Sequence, residues 1–345
     1  MNYELPTTNC NYLDSYNGRC FSTLAPLQPG GFYSSAAKKK LWGGKNVSPF
    51  LDFDRSGFAE FRREQSDRFS ISGIQDKISL RLEKNRLVPT TEEGEFILKP
   101  IPNLDGISFP ADVPANEHVT MQMASQLFRL PTAANGLLFF SDQMPAYVTR
   151  RFDWKNDGEE KFHQEDFCQL SGRSENVGGS HYKYDSSYEE VGELLYQFCS
   201  AAAVEALKLF RIILFNYLIG NGDAHLKNFS LLENSDGDML LSPSYDLLNT
   251  TLHFPYESRT ALDFFRTFET SPFSKNAFYA AADFFELADR LRLPKKKTQQ
   301  SIMEFGNSYA AIESFIKRSL LSEEAQKNYL EIVADRTRAI NYQCV

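Results

Sequence analysis

The stretch IGNGDAHLKNFSLL, Ile219 to Leu232, gathers Asn221, Asp223, His225, Lys227 and Asn228 into one short polar segment. Four residues separate Asp223 from Asn228. A carboxylate and an amide at that separation suit phosphoryl transfer: the carboxylate orients or deprotonates an attacking hydroxyl, and the amide oxygen helps to hold Mg²⁺. Such a cation prefers oxygen ligands, and Asp246 is the second one on offer. Between them, FSLL, ENSDGD and MLLSPSYD read as strand, tight turn and strand, with Asp236-Gly237 at the turn. A hairpin of that kind returns Asp246 to the side of Asn228. His225 is open to two readings, as a ligand or base, or as a residue that packs and orients the loop. An isolated Asp-x4-Asn can also be no more than a cap and a turn.

The elements that must position these groups are legible around them. AAAVEALKLFRIILFNYL is apolar on most faces and predicts a long buried helix leading into the polar segment. Ile78, Leu80 and Leu82 alternate with Ser79, Arg81 and Glu83, the period of a half-buried strand, and RLVPT and GEFILKP follow as further strands. Lys99 ends the last of these, where a strand lysine can meet phosphates or simply be exposed. PANEHVTMQMASQLFRL predicts an amphipathic helix with Val119, Met123 and Leu127 on one face. Glu117 opens it, placed to pair with Lys99, to favour the positive helix end, or both. GLLFF and PAYVTRRFD add two strands joined through SDQM. FSISGIQDK holds only Gly73, so it is neither a Walker A loop nor G-x-G-x-x-G. The backbone N–H groups of Ser72, Gly73, Ile74, Gln75, Asp76 and Lys77 can still cradle phosphates, or the segment is an ordinary hairpin.

After Asp153 the texture changes. NDGEEK reads as a loop and SGRSENVGGSHYKYDSS as a Gly/Ser-rich surface segment; from Tyr188 onward helical patterns dominate, two of them separated at Pro294. The expected fold is α+β and two-lobed, a small strand-rich lobe over residues 1–152 and a larger helical lobe over 153–345. With 345 residues, 42% hydrophobic and 24% charged, the chain has the composition of a globular protein. Its net charge of −8 gives no overall pull toward nucleic acid or anionic membrane. The runs Lys38–Lys40 and Lys295–Lys297 read as solvated faces. The start MNYELPTTNC has no leader pattern, and LFRIILFNYLIG carries Arg211 and is too short to span a bilayer. Five scattered cysteines without CxxC spacing fit reduced thiols in a cytoplasm. The five histidines lack the spacing of a zinc site.

The ordered set SISGIQDK, FILKP, NEH, VTRRFD, HQEDFCQL, KY, GNGDAHLKNFSLL and SYDLLN resembles the HipA family of bacterial serine/threonine kinase toxins, from about Phe69 to Asn249. The resemblance implies a protein-kinase-like fold, ATP and Mg²⁺ as cofactors, Asp223 as catalytic base, and Asn228 and Asp246 as metal ligands. It implies that Lys99 and the Ser72–Lys77 backbone bind phosphates, that the backbone of Arg150, Arg151 and Phe152 forms the hinge meeting adenine, and that His225 and Lys227 lie in the nucleotide-contacting stretch. Ser70 matches the loop serine that these kinases phosphorylate on themselves, and Ser72 fits the short HipT form. Arg150 stands where longer members often have an acidic residue, a change that a backbone contact tolerates. The implied partners are a HipB-like helix-turn-helix antitoxin, through which DNA is met only indirectly, and a HipS-like small protein. The implied substrate is a translation component, most plausibly an aminoacyl-tRNA synthetase. Two other functions fit the same plan, a small-molecule kinase and a catalytically silent antitoxin-binding scaffold. A scaffold has no physical need for Asp223, Asn228, Asp246 and Lys99 together.

Overall fold

The computed structural model describes residues 18–65, 76–155 and 160–342. Ser70, Ser72, Gly73, Ile74 and Gln75 lie outside them, as do Cys10 and Cys344.

Alternation builds the first sheet. In β1 (Ile78–Glu83) Ile78 and Leu80 are buried while Arg81 and Glu83 are exposed. It turns through Lys84, whose φ of 56° is left-handed, into β2 (Arg86–Pro89). With β3 (Phe96–Pro100), β4 (Asn135–Phe139) and β5 (Pro145–Arg150) these form an antiparallel sheet in the order β2-β1-β3-β5-β4. Side chains two apart share a face of a strand, so Ile97 and Lys99 line the same cavity while Phe96 and Leu98 are buried in the core. Lys99 stands opposite Tyr147, 5.5 Å from its ring centroid.

Helices α1 (Ser35–Trp42) and α2 (Arg55–Gln65) precede this sheet, and α3 (Val113–Gln126) packs on β4 and β5. The sequence predicts an amphipathic α3; instead every residue from Val113 to Ala124 is buried. The reason is tertiary. One side meets the sheet and another meets the helical lobe, so polar residues such as Asn116 and Thr120 are enclosed and must be hydrogen-bonded across the interface.

In the second lobe, β6 (Gln164–Asp166) and the hairpin β7 (Ser230–Glu233) and β8 (Met239–Leu241) form a sheet in the order β6-β7-β8. The expected turn is present: Asn234 Oδ1 accepts the N–H groups of Asp236 and Asp238, each at 2.9 Å, and Gly237 has φ 84°. Short helices α4 (Phe167–Leu170) and α5 (Glu175–Gly178) lead to α6 (Tyr188–Phe198) and α7 (Ala202–Ile219). From Phe210 to Ile219 only Arg211 escapes burial in α7, as its composition predicts. Gly220 stops it with φ 72°, donating its N–H to Asn216 O and Tyr217 O. A Cβ there would lie 2.6 Å from Ile332 Cγ2, so both conformation and space demand glycine.

The rest is helical: α8 (Ser271–Asn276), α9 (Ala281–Arg290), α10 (Lys295–Gly306), α11 (Tyr309–Ile316) and α12 (Glu323–Ile340). Pro294 caps α10 and separates it from α9, as expected. Ser322 caps α12 and also holds Asp112 of the first lobe, its N–H at 2.6 Å and its hydroxyl at 2.9 Å. No helix among the described residues is long and apolar enough to cross a membrane. Cys20, Cys168 and Cys199 are buried.

Candidate active site

Between the lobes lies a cavity of about 440 Å³. The strand side contributes Lys77, Lys99 and Glu117; the helical side contributes Asp223, His225, Lys227, Asn228 and Asp246, and Arg151 lies at the junction. These residues, all singled out in the sequence, therefore meet in one place, and Asn221 lines it with them. Asp76 does not line the cavity but pairs with Arg62 of α2, Nε to Oδ1 at 3.0 Å. Arg150 and Phe152 also lie outside its lining.

The segment 221–228 is held by hydrogen bonds from its own asparagine side chains. The Asn221 side chain receives the Asp223 N–H at 3.2 Å and donates to Asn216 Oδ1 at 2.9 Å. Asn228 Oδ1 accepts the His225 N–H at 3.1 Å, which orients the amide and leaves one lone pair of that oxygen available. A side chain at Gly222 has no room, since a Cβ would lie 2.4 Å from Ser258 O. Below it, Glu257 Oε1 accepts the Thr251 hydroxyl at 2.9 Å and the Gly222 N–H at 3.3 Å. Burial pushes the Glu257 carboxyl up to about 7 against these hydrogen bonds.

Asp246 reaches the same cleft because the hairpin is pinned beside it. The Tyr245 hydroxyl donates to Lys227 O at 2.8 Å, anchoring the segment after β8 to the loop. Asp246 itself adopts φ 54°, a left-handed conformation that an aspartate tolerates and that is concentrated at functional sites.

The lobes are joined through charge. Lys99 Nζ lies 2.6 Å from Glu117 Oε1 and 2.5 Å from Asp246 Oδ1. The Lys99 and Glu117 side chains are 10% and 1% exposed, whereas Asp246 is 43% exposed, toward the cleft. Burial opposes ionisation of Asp246, but the Lys99 and Lys77 ammonium groups outweigh it and hold its carboxyl below the usual range. At Glu117 burial wins, raising the carboxyl to about 7 despite Lys99. Its second oxygen, Oε2, is buried with no hydrogen-bond partner among the described residues. Lys99 is raised above the ordinary lysine value because the two carboxylates outweigh its own burial.

Burial lowers His225 to about 4, so the imidazole is neutral at physiological pH. Its ring stands edge-on to Tyr184, centroids 5.2 Å apart. That favours the packing role over the base. Lys227 Nζ is 3.3 Å from Asp166 Oδ2 of β6. Arg151 binds Asp153 in a fork, at 3.0 and 2.5 Å. In the expected hinge, the N–H groups of Arg150 and Arg151 already donate to Ala134 O and Glu95 O, each at 2.8 Å.

Several residues at the site carry no role in the sequence reading. Asn116 Nδ2 donates to Asn249 O at 2.9 Å and His253 Nε2 at 2.8 Å, while its Oδ1 accepts the Asn249 N–H and the Thr120 hydroxyl, both at 3.1 Å. All four capacities of the amide are filled, and the residue before Glu117 is locked to the segment after Asp246. The signal was present in NEH and SYDLLN, but their contact joins positions 133 residues apart. The same holds for Lys183 and Tyr184 in KY: the sequence predicts a surface segment, yet the Tyr184 hydroxyl donates to Asp223 Oδ1 at 2.5 Å. Nothing in the sequence marks Arg62.

An antiparallel sheet over a helical body, with a strand lysine bridging a helix glutamate and a hairpin aspartate, defines a protein-kinase-like fold. Residues 69–312 match the HipA-like C-terminal domain family, and the chain belongs to that family. A Haemophilus influenzae protein described as a candidate kinase is 29% identical over 243 residues, 67% of this chain and 68% of its own. The Shewanella oneidensis serine/threonine-protein kinase toxin HipA is 27% identical over 247 residues, which are 66% of this chain and only 52% of that protein. A solved toxin–antitoxin complex of HipA, HipB and operator DNA from Shewanella oneidensis contains a chain that superposes with a TM-score of 0.59 at 22% identity, covering 79% of this chain and 65% of that one.

Proposed function

We propose that the chain is an ATP- and Mg²⁺-dependent serine/threonine protein kinase that acts as the toxin of a toxin–antitoxin pair. The observation that carries the reading is the Lys99 ammonium bridging Glu117 and Asp246 in the cleft that also exposes Asp223 and Asn228. In this reading Lys99 meets the nucleotide phosphates, aided by Lys77 and the loop backbone from Ser72, and Asp223 takes the proton of the attacking hydroxyl. The donor set of Asp246 carboxylate and Asn228 amide oxygen fits Mg²⁺, which would supply charge neutralisation on the phosphates. Lys99 now occupies one Asp246 oxygen, and its ammonium stands in part for that positive charge. The backbone of Arg150, Arg151 and Phe152 would meet adenine, and of these three residues only Arg151 lines the cavity.

The toxin role, a HipB-like antitoxin and indirect DNA contact are supported by what the relatives are named and assembled with. A HipS-like partner, the aminoacyl-tRNA synthetase substrate and a cytoplasmic setting rest on the family resemblance. So does self-phosphorylation of Ser70 and Ser72 as an off switch, each phosphate adding roughly −1.5 to −2 charges to a loop meant for ATP. Phosphoproteomics of cells expressing the chain, against an Asp223→Ala control, tests the reading. Growth arrest with new phosphoserine or phosphothreonine only in the wild type is expected; arrest by the Asp223→Ala chain overturns it. Aspartate at both Ser70 and Ser72 should weaken ATP binding.

A further inference from the structure

Lys183 and Tyr184 come from the segment between α5 and α6, outside every element that carries the groups assigned above. Three contacts seat this segment on the catalytic loop. The Leu226 N–H donates to Lys183 O at 3.2 Å, the Tyr184 hydroxyl donates to Asp223 Oδ1 at 2.5 Å, and the Tyr184 ring packs against His225. The Lys183 ammonium lies 5.0 Å from the centroid of the Tyr184 ring and lines the cleft with Asp223.

A carboxylate that accepts a proton in a reaction needs a fixed rotation and one free oxygen. A phenol donating to Oδ1 supplies the first and leaves Oδ2 for the second. Burial, together with the hydrogen bond to Asp223, raises the Tyr184 hydroxyl above its ordinary value, so it remains a donor.

Charge on a phosphoryl group in transfer also requires a cation beside it. Most cations of the cleft are committed: Lys99 to Glu117 and Asp246, Lys227 to Asp166, Arg151 to Asp153, Arg62 to Asp76. Lys77 and Lys183 line the cleft without a carboxylate partner among the described residues, and Lys183 is the one beside a residue that touches Asp223.

We propose that Lys183 and Tyr184 form a second catalytic element, in which Tyr184 is a positioning residue for the Asp223 carboxylate and Lys183 contacts the phosphoryl group in transfer. The inference rests on the kinase reading. In the step, the acceptor hydroxyl oxygen bonds to the γ-phosphorus as the bond to the β–γ bridging oxygen breaks. ADP leaves with that electron pair, and the hydroxyl proton passes to Asp223 Oδ2.

The test uses the full chain with Mg²⁺ and γ-labelled ATP, following label released to water and transferred to the chain itself. Nucleotide affinity is measured with a fluorescent ATP analogue, and unfolding temperature in parallel. Tyr184→Phe keeps the ring packing and removes only the hydroxyl, so kcat should fall about 10- to 100-fold with ATP affinity and unfolding temperature unchanged. Lys183→Met should lower kcat about 100-fold, and Lys183→Arg should recover most of it. Wild-type rates in Tyr184→Phe and Lys183→Met, with Asp223→Asn inactive, overturn this inference alone. A faster Tyr184→Phe enzyme shows that the hydroxyl blocks the acceptor and also overturns it. Equal losses in Lys183→Met and Lys183→Arg, or a loss matched by a lower unfolding temperature, reduce the pair to a structural role. A wild-type chain that transfers no label overturns the kinase reading, and this inference with it.

Discussion

Helices α3 and α7 are both enclosed by the protein, but by opposite means. From Phe210 onward α7 is almost wholly apolar, and burial of that surface holds it; the proposed base, Asp223, follows its end. Helix α3 carries the partner of Lys99, Glu117, within its own buried face, beside Asn116, His118 and Thr120. Apolar packing tolerates small readjustments, whereas each buried amide or carboxylate demands a partner at a defined distance. Helix α7 is therefore a platform and α3 a keyed part. Glu117 keeps its register toward Asp246 because Asn116 fills all four of its hydrogen-bonding capacities, two of them with Asn249.

The largest effect that tests this contrast lies beyond the end of α7. Asp223→Asn should lower phosphate transfer by about 10³-fold or more with ATP affinity nearly unchanged, measured with labelled ATP. Next comes Lys99→Met, which leaves the Glu117 carboxyl without its buried cation. It should lower transfer by about 100-fold and stability by about 3–5 kcal/mol, read by denaturant unfolding. A pair of substitutions then separates platform from key. Leu214→Ala in α7 should cost about 2–5 kcal/mol while turnover per folded molecule stays near wild type. Asn116→Leu should cost about 1–3 kcal/mol yet lower turnover per folded molecule, because the segment after Asp246 loses its tie to α3 through Asn249. Equal effects of the two on turnover would erase the distinction.

The smallest effect is on pH dependence. His118 of α3 donates from Nε2 to Ser22 O at 2.7 Å, and burial lowers it to about 4 from 6.5. Between those values the unfolded chain binds the proton and the folded chain does not, so stability is present above pH 6.5 and is lost as pH falls toward 4. His225 and His253, also lowered by burial, act in the same direction. Melting temperature should fall across that window, and His118→Gln should flatten part of the fall.

Much of this was legible beforehand. Period-2 alternation gave β1, the Asp236-Gly237 turn gave the β7–β8 hairpin, and unbroken apolar character gave α7, because each signal is local. The cluster of Lys99, Glu117, Asp223, Asn228 and Asp246 was legible from motif spacing. The buried polarity of α3 was not, since Asn116 and Thr120 look like a solvated face until a second lobe covers them. Tyr184 was hidden for the same reason: a Gly/Ser-rich segment has no periodicity to say where it docks.

By itself the sequence determined which residues could do chemistry and the strands and helices that carry them, because propensity, capping and periodicity act over a few neighbours. Only the tertiary structure decided that Lys99 bridges two carboxylates, that Asn116 keys α3 to Asn249, and that Tyr184 holds Asp223. Those contacts close loops of 18 to 147 residues, and their geometry is set by how two lobes pack rather than by any local preference.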